Sequence, residues 1–259
     1  MRRTLEHRLA AAVARSRCSV RTVTYVERPV SSRLVVCTWE QIAGVQRAQR
    51  VVPDACVDLI WTGERVIVAG PDTGPRRVTL GPGSRLVGVR LRPGVAGSVL
   101  GLPASELRDV SPDAVDVLGR DSAIALLGAG ADAHAVLVDA VHRRHVREPD
   151  PLVAAAVAAL GRPRATVGSV ADDLGVSARH LQRRVGDAVG YGPKMLARVL
   201  RFRRLQGLAP APLAELALDA GYADQAHMTA EVTRLAGVSP VRFLTQSTPP
   251  PHSLRGRVV

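Results

Sequence analysis

The chain changes texture once along its length. Over residues 20–103, short apolar runs at 21–26, 32–39, 57–61, 66–69, 76–80 and 86–91 are separated by turn residues. The separators include Pro53-Asp54, Thr62-Gly63, Gly70-Pro71-Asp72, Gly74-Pro75, Gly81-Pro82-Gly83 and Pro93-Gly94. Runs of this length and spacing, rich in Val and Leu, predict six or more strands in a small antiparallel β barrel or sandwich. From Val95 the apolar period lengthens to three and four, as in helices packed by one face. Ser111-Pro112-Asp113 marks one helix start, and residues 133–145 set Val136, Leu137, Ala140 and Val141 on one side of another. Glu148-Pro149-Asp150-Pro151 reads as a linker, which makes 20–147 one β-rich domain with trailing helices.

The remainder contains one small unit written twice. Ala171, Gly175, Leu181, Val185, Gly190 and Pro193 recur in order as Ala217, Gly221, Met228, Val232, Gly237 and Pro240. The gaps match except for one added residue after the first Gly. Each copy predicts a helix, a tight turn opened by Gly, a second helix and a Gly-x-x-Pro stop: a helix-turn-helix in tandem. An Ala/Val helix over 152–160 precedes the pair. The predicted architecture is therefore α+β in two domains, the second all-α over 152–246. Residues 1–19 form an N-terminal extension, amphipathic over 1–17, and 247–259 a polar, basic, disordered tail.

Within the first unit Thr166 caps the first helix and Ser177 the second. The second helix buries Leu181 and Val185 and presents Arg179, Gln182 and Arg183, with Arg184 beside them. Arg forks onto guanine O6/N7 and Gln onto adenine N6/N7, so this face suits base edges in a major groove. A solvated face of ordinary Arg is the competing reading, and the duplication weakens it. In the second unit Asp224 caps a helix whose outward positions are Gln225, Ala226, Thr229 and Ala230. That chemistry is thinner, so this unit is expected to position more than it specifies. Between the units, residues 194–207 carry Lys194, Arg198, Arg201, Arg203 and Arg204 around an apolar stripe. A helix of about 12 residues within it spans about 18 Å, a stiff spacer for two reading helices on one DNA face.

Composition narrows the partners only modestly. The net charge is +12 over 259 residues, which favours a polyanion. Residues 150–247, however, hold twelve basic and eight acidic side chains, and residues 1–28 seven and two, so the excess is spread. Cys18, Cys37 and Cys56 make no metal or disulfide framework and suit a reducing cytoplasm. No apolar run approaches the ~20 residues that cross a bilayer, so no membrane partner is expected.

Residues 152–243 resemble the DNA-binding domain of the AraC/XylS family of bacterial transcription regulators. The resemblance is carried by VADDLGVSARHLQRRV, GYGPKMLARVLRFRRL and LAELALDAGYADQAHMTAEVTRLAGVSPVRFL. It implies a homeodomain-like module in which one monomer sets two reading helices into adjacent major grooves of double-stranded DNA. Arg179, Gln182 and Arg183 would read bases for the first unit; Gln225, Ala226, Thr229 and Ala230 occupy the matching positions of the second. Lys194 and Arg201 join the expected DNA contacts. Relatives carry Arg-Glu-Phe where this chain has Ala230-Glu231-Val232, which thins base reading by the second unit. The strings VVPDACVDLIW, VAGPDT and GVRLRPG resemble small β domains of actinobacterial members, which implies ligand sensing, homodimerisation or both. RNA polymerase is a further partner if the protein activates. The implied location is the cytoplasm, at the nucleoid.

Enzymatic readings of the β domain find little support. No His lies between His7 and His134, so a cupin-type metal centre cannot be assembled there, and no cofactor is expected. Asp54, Asp58 and Asp72 read as turn and capping residues. Cys56 is an oxidant sensor or a small buried residue; Trp39 and Trp61 either floor an effector pocket or fill the core. His142 and His145 read as a cationic helix end in preference to a metal site. The alternatives to a sequence-specific regulator are a non-specific architectural DNA binder and an enzymatic β domain with an accessory DNA-binding module.

Overall fold

The computed structural model describes residues 24–145 and 147–246; the expected N-terminal extension and disordered tail lie outside them. Seven strands come first: β1 Thr24–Pro29, β2 Val35–Ile42, β3 Arg47–Val51, β4 Val57–Trp61, β5 Val66–Ala69, β6 Arg76–Leu80 and β7 Arg85–Leu91. Five build one antiparallel sheet in the order β1-β2-β7-β4-β5, while β3 and β6 pair as a separate ribbon. The strand β3 escapes the apolar pattern because its sequence, RAQRV, buries no apolar row.

Strand alternation gives this sheet two unlike faces. Leu59, Trp61, Val66, Val68, Val87, Val89 and Leu91 point to one side. Helices α1 Ala96–Leu100, α2 Ala114–Leu118, α3 Arg120–Leu127 and α4 Ala133–Arg144 close over it, with Leu137 and Val141 wholly buried. The helix start read at Ser111-Pro112 falls later, since Asp113 caps α2 by accepting from the Val115 amide. The opposite face carries Trp39, Asp58, Gly88 and Arg90, and the ribbon reaches it through a Gln41–Gln49 side-chain bond.

That second face is a packed ionic centre. Arg90 donates to Asp58 from Nε at 3.1 Å and from Nη2 at 3.0 Å, and Trp39 Nε1 donates to Asp58 Oδ2 at 2.9 Å. Glu27 and Asp54 stand 3.4 and 3.3 Å from the same guanidinium. Burial pushes the Asp58 carboxyl up against the pull of Arg90. A buried pair of this kind tolerates loss of either partner poorly, because the survivor keeps its desolvation cost.

The carboxy-terminal part is all helix: α5 Pro151–Leu160, α6 Val167–Asp173, α7 Ala178–Val189, α8 Pro193–Gln206, α9 Leu213–Ala220, α10 Gln225–Ala236 and α11 Pro240–Gln246. It holds two cores in series. Val153, Ala156, Leu160, Leu181, Val185 and Leu196 belong to the first. Phe202, Leu205, Leu216, Met228, Val232 and Phe243 belong to the second, so α8 contributes to both.

Candidate nucleic-acid interface

Local chemistry starts each reading helix where the pattern requires. Thr166 and Ser169 form a reciprocal cap at α6; Ser177 Oγ accepts from His180 N at 3.1 Å at α7; Asp224 Oδ1 accepts from His227 N at 2.7 Å at α10. Each cap satisfies backbone donors that the helix leaves without partners. With Leu181 and Val185 wholly buried, Arg179, Gln182, Arg183 and Arg184 are all turned outward.

They do not share one role. Arg179 and Arg183, one turn apart, line an open depression of ≈ 290 Å³ with Ser177 and His180 at the start of α7. Gln182 folds back over Gly192, where a Cβ would collide with its amide. Arg184 is turned away to Asp150, the cap of α5, with Nε and Nη2 at 2.7 and 2.5 Å from Oδ2. A side chain in that pair holds α5 against α7. His180, half-buried and not among the residues read from the sequence, joins the depression because it follows Arg179 at the helix start.

The second unit presents Gln225, Ala226 and Ala230 to solvent. Thr229 donates its hydroxyl proton to the Gln225 carbonyl at 2.8 Å, which leaves the hydroxyl oxygen to accept and the methyl to make apolar contact. Glu231 takes Arg198 of α8 in a two-pronged pair, and that hydrogen-bonded guanidinium holds its carboxyl below the usual range. His227 packs edge-on to Tyr222 and accepts from the Ala223 amide, so packing is its role in this structure.

The basic side chains of α8 are mostly occupied. Arg203 donates to the Asp54 carbonyl at 2.9 Å and Arg204 to the Ala220 carbonyl at 3.1 Å; Arg201 lies 5.3 Å over the Tyr222 ring. Lys194 is exposed at the first turn. The spacer's cations therefore brace the second unit and the β domain first, and Lys194 is the one left to solvent among the five.

The residues expected at an effector pocket are not brought together. Trp39 pairs in register with Gly88 and Trp61 with Val87, so the two indoles sit on opposite faces of the sheet. Trp61 donates to the Leu127 carbonyl at 3.0 Å within the helix-covered core. Cys56 is buried, and that burial pushes its thiol up, as suits a small core residue. Asp54 does make the expected turn, accepting from the Cys56 amide at 2.9 Å, but Asp58 is committed to Arg90. His142 bonds Ser32 Oγ and the Val138 carbonyl at the exposed end of α4.

Two helix-turn-helix units sharing one spacer define a DNA-binding transcription regulator. Residues 170–246 match the family described as Helix-turn-helix domain, and residues 29–113 match a Domain of unknown function (DUF6597). The carboxy-terminal domain is an AraC-type helix-turn-helix domain. Among solved structures, the chain is similar to the C-terminal domain of AraT, a response regulator from Geobacillus stearothermophilus. That match has 23% identity over 42% of this chain and 94% of the other, at a TM-score of 0.36. It is also similar to apo ToxT from Vibrio cholerae, at 11% identity, 85% and 100% coverage and TM-score 0.44. Wild-type ToxT with a bound unsaturated fatty acid gives 11%, 89% and 98%, and 0.41. None of the curated proteins matches. No single helix among the described residues is long and apolar enough to cross a membrane.

Proposed function

We propose that this chain reads a specific operator by setting α7 and α10 into adjacent major grooves, with the β domain as its regulatory half. The observation that carries this is the pair of cap-anchored helices on one spacer, the first offering Arg179 and Arg183 side by side in an open depression. Two guanidiniums one helical turn apart match guanine edges on neighbouring base pairs. The second unit contributes contact area and orientation through Gln225, Ala226 and Ala230. Lys194 neutralises phosphate, and Arg201 does so while stacked on Tyr222. Control passes to the DNA-binding domain from the β domain, through effector binding or self-association.

In vitro selection from random duplexes with the full chain tests the reading, followed by footprinting of the winner. Protection over two successive major grooves on one face is expected, about 34 Å apart. Equal affinity for selected and random duplex at physiological salt would leave an architectural binder instead. Removing the Lys194 or Arg201 charge is expected to lower the slope of log affinity against log salt by about one each.

A further inference from the structure

The two reading helices end alike, and the β domain touches both ends. Gly190 closes α7 by donating to the Gly186 carbonyl at φ 96°, and Gly237 closes α10 by donating to the Thr233 carbonyl at φ 69°. These are the same position in the repeat. A Cβ on Gly190 would run into Pro71 Cγ and lie 3.0 Å from the Ala104 carbonyl oxygen; one on Gly237 would lie 3.2 Å from Pro75 Cγ. Pro71 and Pro75 belong to one loop, Gly70-Pro71-Asp72-Thr73-Gly74-Pro75, between β5 and β6. One short loop thus rests a proline ring on the C-terminal cap of each reading helix.

A second loop repeats the arrangement. Val51 pairs with Arg76, so Val52 and Pro75 leave the same end of the β3–β6 ribbon. Val52 packs into the core of the second unit, and Ala55, three residues on, is buried in the core of the first. Ala55 is held at φ 66°, a left-handed conformation that a non-glycine residue adopts only where its surroundings enforce it. The enforcement is visible: Asp54 receives the Cys56 amide on its side chain and Arg203 of the spacer helix on its carbonyl. Thr73 is likewise fixed, donating to the Asp109 carboxylate from both N and Oγ1.

From this geometry we infer that the ribbon end, through Pro71 with Ala55 on one unit and Pro75 with Val52 on the other, sets the separation and tilt of the two reading helices. Pro71 and Pro75 are positioning residues for DNA reading, placed in the domain that carries no reading helix. The spacer α8 ties the helix pairs through their cores; the ribbon end ties the far ends of α7 and α10. The physical basis is stiffness: proline rings seated on backbone with no side chain between leave little room for adjustment. A change in the shape of this loop moves one cap relative to the other, which is how the β domain alters the spacing of the reading helices without touching DNA. This rests on the two-groove reading above.

The test separates the brace from that reading. Spin labels at Arg179→Cys and Ala226→Cys in the full chain, without DNA, report the helix-to-helix distance. A narrow distribution is expected with the native loop and a broadened one after inserting a glycine between Thr73 and Gly74, or in Pro71→Gly with Pro75→Gly. Unchanged width in folded variants overturns the brace. On the selected duplex, wild type is expected to lose about ten-fold affinity when the half-site spacing changes by one or two base pairs. The variants are expected to lose less than about three-fold, with single half-site affinity unaltered. An equal loss at every spacing would make the loop merely structural and overturns the inference. Should selection yield no preferred duplex, the two-groove reading fails on its own, while the label distances still decide the brace.

Discussion

Arg198 and Glu231 meet as a two-pronged ion pair, Nε to Oε2 at 2.5 Å and Nη2 to Oε1 at 2.6 Å. The contact joins the spacer helix to the second reading helix across 33 residues of chain. Arg198→Ala leaves a shielded carboxylate without its partner and is expected to cost about 1–3 kcal/mol. A double-mutant cycle with Glu231→Gln in urea measures the coupling, and additive losses would deny it. The Glu231 carboxyl is depressed, so its contribution is fully present above the unfolded carboxyl range near pH 4 and is lost as pH falls below it.

Arg183 and Arg184 are neighbours with different expected outcomes. Arg183→Ala is expected to weaken binding to the selected duplex by about 1–3 kcal/mol and relax preference at one base pair. Arg184→Ala frees Asp150 at the cap of α5, and is expected to lower stability while leaving base preference as it was. Binding measured against a panel of single-base variants distinguishes the two. Lost discrimination in the Arg184 variant would contradict the pairing.

Asp72 is buried beside Arg76, 3.4 Å away, and its carboxyl is pushed up to about 6, because burial raises it more than Arg76 lowers it and Asp109 adds to the rise. Its folded value lies above its unfolded one, so the folded chain binds the proton more tightly. Stability is expected to fall as pH rises from about 4 to about 6 and then level off, by up to about 3 kcal/mol. Asp72→Asn should flatten that slope in urea titrations. A slope of the same size in the variant would assign it to another group.

Gly88 faces the Trp39 indole so closely that a Cβ there would overlap its ring. Gly88→Ala is expected to push the indole off Asp58 and cost about 2–4 kcal/mol. Thermal unfolding with near-ultraviolet circular dichroism reads both effects. An unshifted Trp signal with native stability would show that the sheet relaxes around the methyl.

The sequence by itself determined the elements whose signal is local. Strands β4, β5 and β6 fall where apolar runs meet turn residues, and the caps Thr166, Ser177 and Asp224 lie where a polar side chain opens an apolar period. The duplicated unit was legible because a helix-turn-helix repeats its own spacing. Only the tertiary structure decided which of four outward side chains on α7 remain available, since Asp150 claims Arg184 from 34 residues away. It likewise decided that Trp39 and Trp61 part company across a sheet, that Asp58 serves Arg90, and that Pro71 rests on Gly190. The physical reason is common to all four. A partner brought in by chain folding leaves no period along the sequence, whereas a helix face or a cap is set within a few residues.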